Sequence, residues 1–368
     1  MRVTFLMIDN ALQIIHPHLK NLTAPTLWFA DENAQPLLEF IPYDEHLTIV
    51  TNRFDIYQQA TIKKIKVVFS DFNSDDYPAK KFQKIVYRIS KEKALVHNII
   101  NQSVLLLTEP PMAHSASTAN TCLIITGFKN EGIKSYADKI KSTIRAQGTL
   151  KKYGGCYCGE FSRLFKNTQL DDKNYANLKK VIIDNNKTTN ASAASFYSKP
   201  GVFGWNKIDK GTELLLASLK KLMHNHELKP SKVLDLGCGY GWIFLNIDQY
   251  GFENITATDN NAAAIIAAQK NAQVMKTSTT TIARDCADTI EDSFDLILCN
   301  PPFHQGFQHT QTLTDKFIRA CCQKAKKNGH VLLVTNEFVA FDRLAKRLFT
   351  HKKTLLKEQG FKVTLLTK

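Results

Sequence analysis

The run Val233, Leu234, Asp235, Leu236, Gly237, Cys238, Gly239, Tyr240, Gly241 constrains this chain more than any other segment. A short strand ends there in glycines set one residue apart, and a helical pattern follows. Backbone without β-carbons can turn sharply and come close to a ligand, and the first turn of the following helix offers free N–H groups to whatever lies above it. Such a turn belongs at the carboxyl end of a strand in an open α/β sheet, where ligands of that fold sit. Taken alone, the pattern also satisfies the plain steric need of a tight strand-to-helix turn.

The surrounding rhythm supports the sheet. Strands are expected at 232–236, 255–259, 281–285, 294–299 and 330–335, with helices at 242–250, 262–275 and about 312–327. The pattern closes with a hairpin, 352–357 and 361–366, around Gln359 and Gly360. This half therefore reads as a doubly wound, mostly parallel sheet finishing in an antiparallel pair. The first half alternates expected strands at 26–30, 47–51, 66–70, 103–108 and 121–126 with helix-like stretches such as 131–147. At 368 residues the chain exceeds one ordinary core. A polar stretch at 171–198, rich in Asn and Thr, reads as the connection, so the domains are expected at 1–185 and 186–368. Two halves of one rhythm suggest a duplicated α/β fold, although no motif repeats.

Chemistry concentrates in the second half. Asp259 closes the strand after the glycine turn, 22 residues beyond Gly237, where a carboxylate can accept from both hydroxyls of a ribose. The same residue could instead cap the helix that follows, and Asn260 could take that place and leave Asp259 available. Asp285 with Cys286, at the end of the third strand, stands where an adenine edge could be bound or where a turn needs an acid. The strand at 294–299 ends in Asn300, Pro301, Pro302 and Phe303. An exocyclic base amine has its lone pair delocalised into the ring, so it needs orientation more than a strong base. Asn300 Oδ1 and the Pro301 carbonyl can accept its two hydrogens, the prolines fix the backbone, and Phe303 offers a face for stacking.

Composition narrows the partner. Lys and Arg number 48 against 34 Asp and Glu, a formal net charge of +14 that favours polyanions such as nucleic acid and also serves plain solubility. The eight cysteines show no paired metal spacing, and no run approaches the roughly 18 apolar residues of a membrane span. No metal and no membrane partner are expected. Free thiols and the lack of a leader-like start fit a reducing cytoplasm.

The glycine run, Asp259 and the Asn300–Phe303 motif together resemble the class I S-adenosylmethionine-dependent amino methyltransferases over roughly the C-terminal half. More narrowly, Asn300 to Gly306, Pro200 to Phe203, and Asp209, Gly211, Thr212 with Leu214 to Leu216 are similar to the ribosomal RNA guanine-N2 methyltransferases of the RsmC and RlmG type. The resemblance implies two Rossmann-like methyltransferase-fold domains. The first, matched more faintly through 87–101 and 127–135, would be degenerate and serve RNA contact and support. It implies S-adenosylmethionine held by Asp235, Gly237, Cys238, Gly239, Gly241, Asp259, Asn260, Asp285, Cys286 and Asn300, with Asp209 and Gly211 closing the pocket. Catalysis falls to Asn300, Pro301, Pro302 and Phe303. Phe203, Phe303 and His304 would meet the substrate, although Phe203 reads equally as a core aromatic.

The implied reaction is methylation of guanine N2 in small-subunit (16S) ribosomal RNA by a monomer. A large-subunit (23S) guanine, a protein glutamine, or a binding role in ribosome assembly without turnover are the rival readings. The chain departs from the family in its Asn- and Thr-rich connection and at Gly306, Phe307 and Gln308, which puts the substrate loop in question.

Overall fold

A computed structural model describes residues 8–76, 82–108, 121–165, 168–183, 195–302 and 307–368, with only the backbone for 307–312. The chain divides between Asn177 and Leu178 into two units.

The first unit contains β1 (Thr26–Ala30), β2 (Leu47–Thr51), β3 (Lys66–Phe69), β4 (Lys84–Arg88), β5 (Cys122–Phe128), β6 (Gln147–Tyr153) and β7 (Cys156–Ser162). They form one sheet in the order β3-β2-β1-β4-β5-β7-β6. The five strands from β3 to β5 are parallel, and β7 and β6 close the edge antiparallel. Every residue of β1 is buried, as a central parallel strand covered on both faces requires.

In the second unit, β8 (Lys179–Ile182) and β9 (Ser195–Ser198) pair only with each other. The main sheet comprises β10 (Lys232–Leu236), β11 (Asn254–Asp259), β12 (Thr280–Ala283), β13 (Phe294–Cys299), β14 (Ala325–Asn336), β15 (His351–Glu358) and β16 (Phe361–Thr367). Its order, β12-β11-β10-β13-β14-β16-β15, is the permutation found in the first unit. Topology thus shows the duplication that the sequence carries only as rhythm. Helix Ala262–Met275 packs alanines against the sheet and ends at Lys276 in a left-handed conformation (φ 55°). Helix Lys210–His224 lays Leu215, Leu219 and Leu222 into the same core.

The structure departs from expectation in two places. Residues 103–108 form no strand: helix Lys93–Leu106 runs through most of them, and Ser103 Oγ donates to the Ile99 carbonyl at 2.7 Å within that helix. The sheet takes β4 instead, a strand whose polar ends, Lys84 and Arg88, hide its apolar centre. The division between units falls eight residues before the expected 185, because β8 pairs with β9 and Val181, Ile183 and Phe196 join the second core. Among the described residues no helix is long and apolar enough to cross a membrane.

Candidate functional site

Strand register brings the site together. Leu236 pairs with Thr258 on one side and with Cys299 on the other. Gly237, Asp259 and Asn300 therefore leave three neighbouring strands at one level, at the carboxyl edge where ligands of such sheets bind.

The glycine loop has the backbone only glycine adopts readily: φ is +80° at Gly237, +55° at Gly239 and +96° at Gly241. A β-carbon at Gly241 would stand 2.3 Å from the buried Phe244 ring, so packing as well as conformation demands glycine there. At Gly239 it would meet nothing within 4 Å, so the middle of the loop faces open space. The Asp259 carboxylate braces this loop, accepting from the Gly239 N–H at 2.9 Å and, through Oδ1, from the Asn261 N–H at 2.9 Å. The cap of helix Ala262–Met275 is neither Asp259 nor Asn260. It is Asn261, whose Oδ1 accepts from the Ala263 N–H at 3.0 Å.

Asp235 lies wholly inside. Its Oδ2 accepts from the Phe244 N–H at 3.2 Å, and its Oδ1 is a buried acceptor with no hydrogen-bond partner. Burial pushes its acid up to about 8, with the nearby Asp259 charge adding to the effect. Cys238 is buried and anchored through its N–H to the Thr258 carbonyl at 2.9 Å.

Asn300 is locked. Its Nδ2 donates to Asp209 Oδ2 and to Thr212 Oγ1, both at 2.8 Å. Since a carboxylate only accepts, the amide must present its nitrogen to Asp209, which leaves Oδ1 as the acceptor on the other side. Asp209 also caps helix Lys210–His224 by accepting from the Thr212 N–H at 3.0 Å. Gly211 packs behind it, where a β-carbon would lie 3.0 Å from Asp209 Oδ2 and 3.1 Å from the Phe361 ring. Asp209 and Gly211, expected from the sequence at the cofactor pocket, stand beside Asn300, Asp209 as cap and hydrogen-bond partner and Gly211 packed behind it. Thr212, part of the same segment in the sequence reading, joins them through its hydroxyl, which accepts from Asn300 Nδ2.

The remaining candidates divide. Asp285 accepts from Lys316 Nζ at 2.7 Å, so an adenine edge would share that carboxylate with an ammonium. Cys286 follows in a left-handed conformation (φ 51°). Pro301 is buried and Pro302 exposed. Phe203 is 49% exposed, which fits neither a fully packed core ring nor a free one. Its segment reaches the site through Asn261 Nδ2, which donates to the Gly201 carbonyl at 2.8 Å, and through Tyr240 Oη, which donates to the Lys207 carbonyl at 3.0 Å. Nothing in the sequence singled out either donor. Phe303 and His304 lie outside the described residues. Among the described residues no three His, Cys, Asp or Glu side chains gather as metal ligands.

The site fits S-adenosylmethionine. The loop opens where a ligand backbone would approach, and Asp235 Oδ1 is a buried polar atom with no hydrogen-bond partner. The first unit differs at the matching edge. Asp31 there accepts from Tyr87 Oη at 3.2 Å and from the Asn33 N–H at 3.0 Å, and Arg88 bridges Asp9 and Glu131 at 2.8 Å each. Protein side chains hold one another where the second unit has its open glycine loop.

Comparison with known proteins agrees. The methyltransferase small domain family matches residues 193–365. The chain is 28% identical over 363 residues to the ribosomal RNA small subunit methyltransferase C of Actinobacillus succinogenes, covering 97% of this chain and 98% of that one. A protein of the same name from Hahella chejuensis is 32% identical over 168 residues, which is 45% of this chain and 47% of its own length. Among solved structures, the T. thermophilus 16S rRNA N2 guanine methyltransferase RsmC, in complex with AdoMet and guanosine, superposes with a TM-score of 0.78 at 18% identity, covering 98% of this chain and 92% of that one. That likeness spans both units and speaks to the fold. The stretch that resembles the methyltransferase small domain family is the second unit, the one that carries the glycine loop, Asp259 and the locked Asn300.

Proposed function

We propose that this chain methylates the exocyclic N2 amine of a guanine in small-subunit ribosomal RNA. The observation that supports this reading is the Asn300 lock, which ties its NH2 to Asp209 and Thr212 and leaves its carbonyl oxygen to accept from a substrate amine. The relatives' names supply the substrate class, and the net charge of +14 suits a polyanion.

When bound, S-adenosylmethionine supplies an activated methyl on a sulfonium. Gly237, Gly239 and Gly241 would admit it, Asp259 would take its ribose hydroxyls, and Asp235 would offer its unpartnered Oδ1 inside. Asn300 Oδ1 and the Pro301 carbonyl accept the two amine hydrogens and so turn the nitrogen lone pair out of the base plane. Orientation of this kind replaces a strong base, because the amine gains acidity only as the new N–C bond forms, and its proton then passes to water. The target base leaves its stack to reach this edge, with Phe203 and Phe303 as stacking faces. The first unit, its matching edge filled by its own ion pairs, serves as support and RNA contact. The chain acts as a monomer in the cytoplasm, where ribosomes are assembled.

Asn300→Ala tests the reading. Loss of one oriented partner should lower kcat on the order of 10²–10³-fold while affinity for S-adenosylmethionine stays unchanged. Parallel loss of both would move Asn300 to cofactor binding and undo the mechanism.

A further inference from the structure

The Asn300 lock is connected through packed residues to a surface that the reaction itself does not use. Gly211, between Asp209 and Thr212, packs on Phe361, the first residue of β16. Phe361 pairs with Asn336 at the carboxyl end of β14, and the Glu337 N–H donates to the Gly360 carbonyl at 2.9 Å. The next residue is Phe338, 85% exposed, at the same edge of the sheet as the site.

A single exposed phenylalanine is ordinary on a protein surface. Its setting is not. Lys357 and Lys362 stand directly opposite each other across β15 and β16, and like charges so placed repel. Lys352 lies on the same face, and its ammonium and that of Lys362 share Asp342. Burial first, and then the charges of Lys362 and Lys357, hold Lys352 below its usual range. From Glu337 to Lys368 eight Lys and Arg face three Asp and Glu. Three of the eight, Arg343, Lys346 and Arg347, are exposed on helix Asp342–Leu348. Repulsion between crowded lysines beside an exposed aromatic is relieved by a strand that brings phosphates and stackable rings together. A single-stranded nucleic acid has that chemistry.

We infer that the exposed Phe338 and Lys357 of this edge form the docking surface for RNA flanking the target base, with Phe338 stacking on a neighbouring base and Lys357 taking a phosphate, while the buried Lys362 behind it adds positive charge. This rests on the RNA reading above and assigns its contact surface. It places the flanking strand on the second unit, at the rim of the site, and so complements any contact made by the first.

The test uses the full-length protein and deproteinised small-subunit ribosomal RNA, with binding measured by filter retention over a range of salt concentrations and methyl transfer measured in parallel. Phe338→Ala should weaken binding about tenfold, from the loss of one base stack. Lys357→Ala should reduce the slope of log affinity against log salt by about 0.7, one single-strand phosphate contact. Both side chains are exposed, and unchanged affinity for S-adenosylmethionine checks that the fold is kept. Wild-type methyl transfer with neither variant altered in affinity or salt slope overturns the docking surface alone. Loss of RNA affinity in the variants, with wild-type protein that binds RNA and transfers no methyl, keeps the surface and overturns the reaction. Wild-type protein that does not hold RNA overturns both.

Discussion

Replacing Asp209 by alanine separates the lock from the cap. In the folded protein Asp209 Oδ2 accepts from the Thr212 N–H at 3.0 Å and from Asn300 Nδ2 at 2.8 Å. Loss of an N-cap costs about 0.5–2 kcal/mol of stability, and at about 2–4 °C per kcal/mol for a unit of this size the melting temperature should fall by several degrees. Loss of the second bond acts elsewhere. A hydrogen bond to a charged group is worth about 1.5–3 kcal/mol, and without it the Asn300 amide can turn over and present NH2 to a substrate amine. Assayed well below the melting temperature, kcat for methyl transfer should fall roughly 10- to 150-fold, the rate equivalent of that energy. Affinity for S-adenosylmethionine, measured by calorimetric titration, should hold. Asp209→Asn keeps one carbonyl oxygen that can accept from both donors and should recover most of the rate. A lower melting temperature with unchanged kcat would reduce Asp209 to a helix cap. A cofactor affinity that falls in step with kcat would return it to direct cofactor contact.

Other consequences can be measured independently. Gly241→Ala sets a β-carbon 2.3 Å from the Phe244 ring at φ +96°, and overpacking of this kind should cost about 1–3 kcal/mol in denaturant unfolding, together with weaker cofactor binding. An alanine variant with wild-type stability would show that the loop can relax. Asp235 has its acid raised to about 8 in the folded protein. Between its ordinary value near 4 and pH 8 the folded chain holds a proton that the unfolded chain has released. Stability without cofactor should therefore fall as pH rises through that window and level off above it. Asp235→Asn should flatten that part of the profile, and identical pH slopes for variant and wild type would contradict the buried, protonated carboxyl. Arg88→Met strands Asp9 and Glu131, of which Glu131 has only 8% of its side chain exposed, and should destabilise by about 3–5 kcal/mol in chemical melts. A loss below 1 kcal/mol would mean that the two acids find other partners.

Much of the second unit was legible because its punctuation is local. Gly237 stops β10, Asn261 starts the helix at Ala262, and Pro301 follows β13, so those bounds fell within a residue of expectation. In the first unit the signals are weaker. The apolar end of helix Lys93–Leu106 looks like a strand when read over six residues, since buried helix and buried strand share composition over so short a run. The division between units falls earlier in the polar connection, at Asn177 and Leu178, because such a connection says where the chain is exposed and not which core its flanking strands join. The site divides the same way. Gly237, Asp259 and Asn300 could be named because each stands at a strand end of known order. Asp209 and Thr212 are 91 and 88 residues from Asn300, and no spacing rule joins them. The resemblance put Asp209 at the pocket, but its hold on Asn300 exists only in the folded chain.

The central claim is that this chain places a methyl group on guanine N2 of small-subunit ribosomal RNA. Transfer of labelled methyl from S-adenosylmethionine to separated ribosomal subunits, taken from cells lacking this gene and followed by nucleoside analysis of each RNA, tests it most directly. N2-methylguanosine carrying the label in small-subunit RNA alone is the predicted result. Label in large-subunit RNA, in a ribosomal protein, or in neither subunit while S-adenosylmethionine still binds would contradict it.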